Sequence, residues 1–208
     1  MLISQGKPAM AVPVYRQAYK IAGSRSALLR LTNALQVTGK QRESAQLLSQ
    51  WMKQHPKDLG ARMSYAGLMQ SEGNLSAAAT EYEQILAQRP NDAVAMNNLA
   101  WIYQTQGKTA EALGLAEKAY KQAPEVPGIM DTYGWILVNS AELAQGIELL
   151  EKAVAKKGDD PDMRYHLAAA YARTDDKARA KRELEEILAS NDKFSERANA
   201  QKLLESLR

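Results

Sequence analysis

Apolar residues recur along the chain at the three- and four-residue spacing of amphipathic helices. Residues 93–126 show the pattern most clearly. Their first half carries one apolar stripe, formed by Met96, Leu99, Ala100 and Tyr103. Their second half carries a face of small side chains, formed by Ala112, Ala116 and Ala119. Small residues let two helices approach closely, so the pattern predicts a helical hairpin.

Turn residues divide the chain into units of equal length. Prolines follow one another at intervals of 34 residues, at Pro56, Pro90 and Pro124. Glycines do the same at Gly39, Gly73 and Gly107. Glycine suits the left-handed residue that follows a helix, and proline ends the next helix. Because one hairpin cannot cover its own apolar face, neighbouring hairpins must stack.

The repeat phase predicts an all-α fold in one domain, residues 1–208. Its parts are a truncated first repeat (1–24), five repeats (25–58, 59–92, 93–126, 127–160, 161–194) and a capping helix (195–208). In the last two repeats, Ala141 and Asp175 replace the turn glycine, and Gly146 replaces an alanine of the second helix. These two repeats are therefore expected to be less regular than the others.

The first repeat begins near its middle, since Gly6 falls at the turn between its two helices. We therefore expect the chain to be the C-terminal piece of a longer array. The apolar residues Val14, Tyr15 and Ala18 are then left exposed or buried in a neighbouring copy, which predicts self-association through the truncated repeat.

Composition narrows the possible functions. The formal charge is +3, with 27 basic and 24 acidic residues interleaved, which does not indicate a nucleic-acid partner. The chain has no cysteine, which excludes disulfides, zinc–thiolate sites and thiol catalysis. No apolar stretch is long enough to be a transmembrane segment, and the N-terminus lacks the pattern of a targeting signal. This piece is expected to be soluble.

These spacings resemble the tetratricopeptide repeat (TPR) family over essentially the whole chain. The residues that carry the family pattern include Leu99, Ala100, Tyr103, Gly107, Ala112, Ala119 and Pro124. The resemblance implies a right-handed superhelical solenoid of helix-turn-helix hairpins. It also implies a concave groove, lined by the first helix of each hairpin, that takes an extended peptide or a helix.

A narrower resemblance rests on three segments in order: DTYGWIL, RYHLA and FSERANAQKLLESL. They are similar to the C-terminal part of the TPR-repeat lipoproteins of the PEP-CTERM/exosortase system. That resemblance implies a bacterial parent protein in the periplasm or at the outer membrane. It also implies a role in exopolysaccharide production and envelope protein sorting.

The repeat phase points a set of side chains into the expected groove. They are Asn97, Asn98, Trp101 and Gln104, then Asp131, Trp135 and Asn139, then Tyr165, His166 and Arg173. Trp101 and Trp135 occupy the same place in successive repeats and are expected to lie side by side. They either anchor a partner or pack between adjacent first helices. A clamp for a terminal carboxylate is not expected, because these positions include no lysine.

No arrangement of nucleophile, base or metal ligands is visible, so we expect no catalytic residues, no metal and no cofactor. Asp131 is within reach of His166 across one repeat, but two residues are weak evidence for chemistry. We predict a non-catalytic scaffold that binds a protein or peptide. The alternative is a carbohydrate-associated factor whose paired tryptophans contact exopolysaccharide directly. An enzyme is the least supported class.

Overall fold

The computed structural model describes residues 8–190 and 194–207, and this part of the chain contains twelve α-helices and no strand. The helices are α1 (Pro8–Ala22), α2 (Arg25–Val37), α3 (Gln41–Gln54), α4 (Leu59–Ser71), α5 (Leu75–Gln88), α6 (Ala93–Thr105), α7 (Thr109–Gln122), α8 (Pro127–Asn139), α9 (Leu143–Lys156), α10 (Pro161–Tyr171), α11 (Lys177–Ala189) and α12 (Arg197–Ser206). The all-α prediction is confirmed. The turn predicted at Gly6 lies outside the described residues.

The helices form two compact units, Met1–Pro90 with α1 to α5 and Asn91–Arg208 with α6 to α12. We call them unit 1 and unit 2. Within each unit, helices that follow one another in sequence pack together. The first helices of successive hairpins also touch: α2 contacts α4 in unit 1, and α8 contacts both α6 and α10 in unit 2. The predicted extent of a single domain stays a prediction.

In the hairpins from α2–α3 to α10–α11, each of the two helices carries a small, buried residue at the same repeat position. In α8 and α9 both are glycines: a Cβ atom on Gly134 would lie 2.9 Å from the Gly146 carbonyl oxygen. A Cβ atom on Gly146 would lie 2.6 Å from a methyl group of Val138. The hairpin of α2 and α3 uses Thr32 and Ser44, whose hydroxyl donates to the Thr32 carbonyl oxygen at 3.3 Å. The corresponding residues elsewhere are Ala66, Ala78, Ala100, Ala112, Ala168 and Ala180, all buried.

The turns inside the hairpins repeat one backbone geometry. Gly39, Gly73 and Gly107 have φ angles of 76°, 76° and 75°, in the left-handed region. Ala141 adopts φ 67° at the same place, although its Cβ atom makes this conformation costly. The amide of Glu142 still donates to the Leu137 carbonyl oxygen at 3.0 Å, which completes the usual helix C-terminal motif.

The turn after α10 is built differently. Asp175 does not adopt a positive φ angle. The preceding helix α10 ends at Tyr171 and has 11 residues, whereas α8 has 13. The amide of Thr174 donates to the Tyr171 carbonyl oxygen at 2.9 Å, which is a tighter type of turn. The expected irregularity of this repeat is therefore a change of turn type.

Two arginines take a position on the first helix that is apolar in the other hairpins. Arg62 of α4 pairs with Glu81 of α5, and Arg164 of α10 pairs with Glu183 of α11. The Arg164 Nε atom donates to Glu183 at 2.8 Å. Both pairs span 19 residues and are mostly buried. Their equivalents in other hairpins are Leu28, Met96 and Met130, all buried.

The first and last described helices differ in how they are covered. In α1, Ala11 and Val12 are buried against α2, whereas Val14 and Ala18 are exposed. Tyr15 is partly buried in the same cluster. In α12 and at the residue that follows it, the side chains predicted to cap the last hairpin contribute to one apolar cluster with α10 and α11. They are Ala200, Leu203, Leu204 and Leu207. The predicted capping helix is confirmed.

Replacing Ala141 by glycine is expected to raise the free energy of unfolding by about 1 kcal/mol, because glycine adopts the left-handed conformation without a steric cost. Urea unfolding of both proteins measures the change. The same exchange at the exposed mid-helix residue Ala18 is expected to be destabilising. Equal effects of the two exchanges would contradict the assigned strain.

Replacing Gly146 by alanine is expected to lower the free energy of unfolding by about 1–3 kcal/mol, because the new methyl group meets Val138 and the α8 backbone. The matched control is Gly114→Ala in α7, where a Cβ atom would meet nothing within 4 Å. That control is expected to be neutral or stabilising. Thermal unfolding of both variants measures these changes in stability. A stabilising effect of Gly146→Ala would show that α8 and α9 are not closely packed.

Candidate functional site

The predicted site residues lie on α6, α8 and α10, the first helices of three successive hairpins of unit 2, except Arg173, which lies in the turn after α10. Because α8 contacts both of its neighbours, these helices form one continuous surface. We call it the first-helix face. Its members are Asn97, Asn98, Trp101, Gln104, Asp131, Trp135, Asn139, Tyr165, His166 and Arg173.

The α6 part of this face presents an exposed apolar surface. The side chain of Trp101 is 36% exposed, and Val94, two helical turns earlier, is 52% exposed. Sequence reasoning identified Trp101 but missed Val94. The signal was available, since residues seven apart share one face of a helix.

Two amide oxygens lie on the same side of α6 as Trp101. The Asn97 amide nitrogen donates to the Asn98 Oδ1 atom at 3.3 Å. The Asn97 Oδ1 and Gln104 Oε1 atoms are buried and accept no hydrogen bond within the part of the chain that the structure describes. A buried acceptor left without a donor lowers the free energy of unfolding by about 1–3 kcal/mol.

Trp135 of α8 packs against α10. Its ring stacks on the imidazole of His166 with a centroid distance of 4.7 Å and an interplanar angle of 17°. The Arg173 guanidinium lies 5.7 Å from the Trp135 ring centroid. Among the described residues, the tryptophan has no ring contact with Trp101. The structure therefore places Trp135 in the packing between first helices and leaves Trp101 exposed.

Asp131 and His166 form a mostly buried ion pair beneath this stack. The Nδ1 atom of His166 lies 2.9 and 3.0 Å from the two Asp131 carboxylate oxygens. The two side chains are 12% and 15% exposed. Burial lowers the pKa of His166, but the hydrogen bond and the negative charge of Asp131 raise it by more, so the net shift of the pKa is upward.

Arg173 and Asn139 form hydrogen bonds at the C-terminal end of α8. The Arg173 guanidinium donates to the Val138 carbonyl oxygen and to the Asn139 Oδ1 atom, both at 2.9 Å. The Asn139 amide nitrogen in turn donates to the Trp135 carbonyl oxygen at 2.8 Å. A cation at the C-terminal end of a helix satisfies carbonyl groups and complements the helix dipole. These two predicted groove residues therefore hold α8 and α10 together.

Tyr165 lies beside this cluster and joins it to the end of unit 2. Its ring centroid is 6.0 Å from that of His166, and its side chain packs against the α10–α12 core. Burial raises the pKa of the Tyr165 hydroxyl. Tyr165 thus belongs to the supporting structure of the face.

Neither a metal cluster nor a membrane span is found in residues 8–190 and 194–207. No three histidine or carboxylate side chains there are grouped as metal ligands would be. No helix in these ranges has the length and apolarity needed to cross a bilayer.

Stacked hairpins with small residues at each crossing and an exposed first-helix face define a helical-repeat protein. Two family models, both described as tetratricopeptide repeat, match residues 70–127 and 137–207. Together they cover more than half of the chain. The chain therefore belongs to the tetratricopeptide repeat family. No curated protein sequence matches it significantly.

Solved structures show the same fold at low sequence identity. A TPR protein from Parabacteroides merdae is 15% identical with a TM-score of 0.76, covering 99% of this chain and 81% of that one. A thermophilic TPR protein from Thermus thermophilus is 19% identical with a TM-score of 0.70, covering 88% and 98%. YrrB, described as a TPR protein with an unusual peptide-binding site, is 12% identical with a TM-score of 0.61, covering 90% and 97%.

The ion pair of Asp131 and His166 predicts a pH-dependent stability. Because folding raises the pKa of His166, the pair stabilises the protein fully below the unfolded pKa, about 6.5. That contribution is lost as the pH rises through the raised folded pKa. The difference in unfolding free energy between the wild type and His166→Gln is therefore expected to be larger at about pH 6 than at about pH 9.

Urea titrations at the two pH values measure this difference, and Asp131→Asn serves as a second variant that removes the carboxylate. Equal differences at both pH values would mean that the imidazolium form is not the one stabilised by folding.

Proposed function

We propose that this chain is a non-catalytic scaffold that binds a protein or peptide on the first-helix face of unit 2. The observation that carries the proposal is the exposure of Trp101 on the same face of α6 as the exposed Val94. Tryptophan is enriched among the interface residues that contribute most to binding energy.

The α6 part of the face supplies the contacts a protein segment requires. Trp101 offers apolar area with few rotatable bonds, so that fixing it on binding costs little conformational entropy. The Asn97 and Gln104 side chains are partly exposed, and a rotation that brings their amide groups to the surface would let them pair with the N–H and carbonyl groups of a peptide. The arrangement is therefore complementary to a polypeptide that places an apolar side chain near Trp101.

The α8 and α10 part of the face positions the α6 part and does not form the main contacts with the partner. Trp135, His166 and Arg173 are already engaged with one another and with Asp131, Val138 and Asn139. Side chains fixed in this way lose little freedom when a partner binds, which favours affinity. We therefore assign binding to Trp101 and Asn97, and positioning to Trp135, Asp131, His166, Asn139 and Arg173.

The similarity to YrrB supports a peptide as the partner, since that protein has the same fold and is described as having a peptide-binding site. This support is by analogy of fold, because the identity is 12%. The exposed residues of this chain itself provide the stronger argument.

The proposed setting is a bacterial envelope system for exopolysaccharide production and protein sorting. Its support is the sequence resemblance in DTYGWIL, RYHLA and the closing segment. A location of the parent protein in the periplasm or at the outer membrane has the same support. Self-association through α1 stays a prediction; of the residues that it names, Val14 and Ala18 are exposed and Tyr15 is partly buried.

Replacing Trp101 by alanine is expected to weaken peptide binding by about tenfold or more, because a central aromatic anchor is lost. Peptides are first selected from a displayed random library on the wild-type chain. Their dissociation constants are then measured by fluorescence polarisation for the wild type and the variant. Intrinsic tryptophan fluorescence reports the same event.

The matched control is Val126→Ala, which removes an exposed apolar side chain of unit 2 at the start of α8, away from Trp101. Unchanged affinity in Trp101→Ala would refute the assigned face. A fluorescence change with a neutral polysaccharide but with no selected peptide would favour direct carbohydrate contact.

A further inference from the structure

A shallow pocket of about 380 Å³ lies in unit 1, where the second helix α3 meets the next first helix, α4. One wall is the ring of Tyr65 on α4. The remaining lining residues all lie on α3 and are Ala45, Gln46, Ser49, Gln50 and Lys53. We call it the Tyr65 pocket. It is formed mainly by a second helix and shares no residue with the first-helix face of unit 2.

The equivalent place in unit 2, where α7 meets α8, is filled by larger side chains. Tyr133 of α8 stands two repeats after Tyr65 and is only 8% exposed. Leu113 of α7 packs against the apolar cluster that contains Tyr133. In unit 1 the position of Leu113 is taken by Ala45, and Tyr65 is partly exposed. The Tyr65 pocket is therefore space that a larger side chain occupies elsewhere in the repeat.

The two places also differ in charge. In unit 2, Glu117 forms an ion pair with Lys121. Burial raises the pKa of the Tyr133 hydroxyl, and the negative charge of Glu117 raises it further, so this carboxylate lies close to both groups. In unit 1, Lys53 is retained at the position of Lys121, but the position of the glutamate is taken by Ser49.

Ser49 is an exception in the repeat. The same position is a glutamate in each of the four later second helices, at Glu83, Glu117, Glu151 and Glu185. The substitution leaves the Tyr65 pocket with one cation, Lys53, and no anion in its lining. Within the part of the chain that the structure describes, the Lys53 ammonium has no carboxylate partner. A ligand carboxylate would take the place of the missing side chain and form a charge-assisted hydrogen bond with Lys53.

The rest of the lining is polar and surrounds an aromatic ring. The amides of Gln46 and Gln50 and the hydroxyls of Ser49 and Tyr65 can each donate and accept hydrogen bonds. None of these four groups is bonded to another of the described residues. The lining includes no large aliphatic side chain, so an apolar side chain of a protein partner would bury little area here.

These features fit a sugar ring that carries a carboxylate. The hydroxyl groups of a sugar donate and accept hydrogen bonds, as the amides of Gln46 and Gln50 do. Its carbon face can lie on the apolar face of the Tyr65 ring. A volume of about 380 Å³ is at the lower end of the range of small-molecule sites, which suits one or two sugar rings. An acidic peptide would supply the carboxylate but not the hydroxyl groups.

We propose that the Tyr65 pocket binds an acidic sugar residue, whose carboxylate pairs with Lys53 and whose ring lies on Tyr65. The Gln46 and Gln50 amides bind its hydroxyl groups. This site involves neither tryptophan of the first-helix face, and it does not rest on the proposed function.

Titration of the full chain with trigalacturonate, followed by two-dimensional NMR, tests the proposal. The backbone amide signals of Ser49 and Tyr65 are expected to shift and to reach saturation. Ser49→Glu restores the carboxylate that unit 2 has at this place, and it should fold, because glutamate four residues before Lys53 stabilises a helix. The new carboxylate pairs with Lys53 and repels the ligand, so the dissociation constant should rise about tenfold or more.

The matched control is Ser76→Glu, which adds the same charge at an exposed position of α5 that is not part of the lining. Its dissociation constant should equal that of the wild type. Maltotriose serves as the neutral ligand of the same length and should bind about tenfold more weakly than trigalacturonate. Lys53→Gln should remove this difference, because the variant lacks the ammonium group that pairs with the carboxylate.

The proposal would be overturned by the absence of a saturable shift, by equal affinity of the wild type and Ser49→Glu, or by equal affinity for the two sugars. Tighter binding of a hexaglutamate peptide at Ser49 and Tyr65 would also overturn it, since the ligand would then be an acidic peptide. None of these results affects the proposed function, because every variant here retains Trp101.

Discussion

The close approach of two helices in each hairpin is the constraint on which the rest of this structure depends. It is met by a pair of small residues at every crossing, from Thr32 with Ser44 to Gly134 with Gly146. Because this contact is made near the backbone, it does not depend on the longer side chains of the first helix. Those side chains can then vary from hairpin to hairpin without changing how the two helices cross.

The period, the helices and most turns could be predicted from sequence, because they depend on local chemistry. Gly39, Gly73 and Gly107 stand at turns that require a positive φ, and Ala141 was recognised as their substitute. The shorter α10 could not be predicted, since Asp175 is compatible with more than one kind of turn. The choice among them depends on hydrogen bonds such as that from Thr174 to Tyr171.

The two tryptophans show that residues at equivalent positions of the repeat can differ in their exposure. Trp101 and Trp135 occupy the same place in the period, but the next repeat offers them different neighbours. For Trp135 these are His166 and Arg173, which cover its ring. The corresponding residues after Trp101 are Thr132 and Asn139, which are smaller and not charged. Periodicity thus predicted the candidate face, while exposure depended on side chains one repeat away.

The buried arginines of α4 and α10 distinguish their two hairpins from the others, which the small residues at the crossings do not. Because every crossing uses small residues, the crossings alone do not favour the packing of a first helix on its own second helix over packing on the second helix of another repeat. Arg62 and Arg164 each find carboxylates on the second helix of their own hairpin, 19 residues later. Pairing either arginine with a second helix that lacks those carboxylates would leave a charge buried without its counter-charge. The two ion pairs therefore discourage exchange of helices between repeats while the chain folds, which is a characteristic failure of repeat proteins.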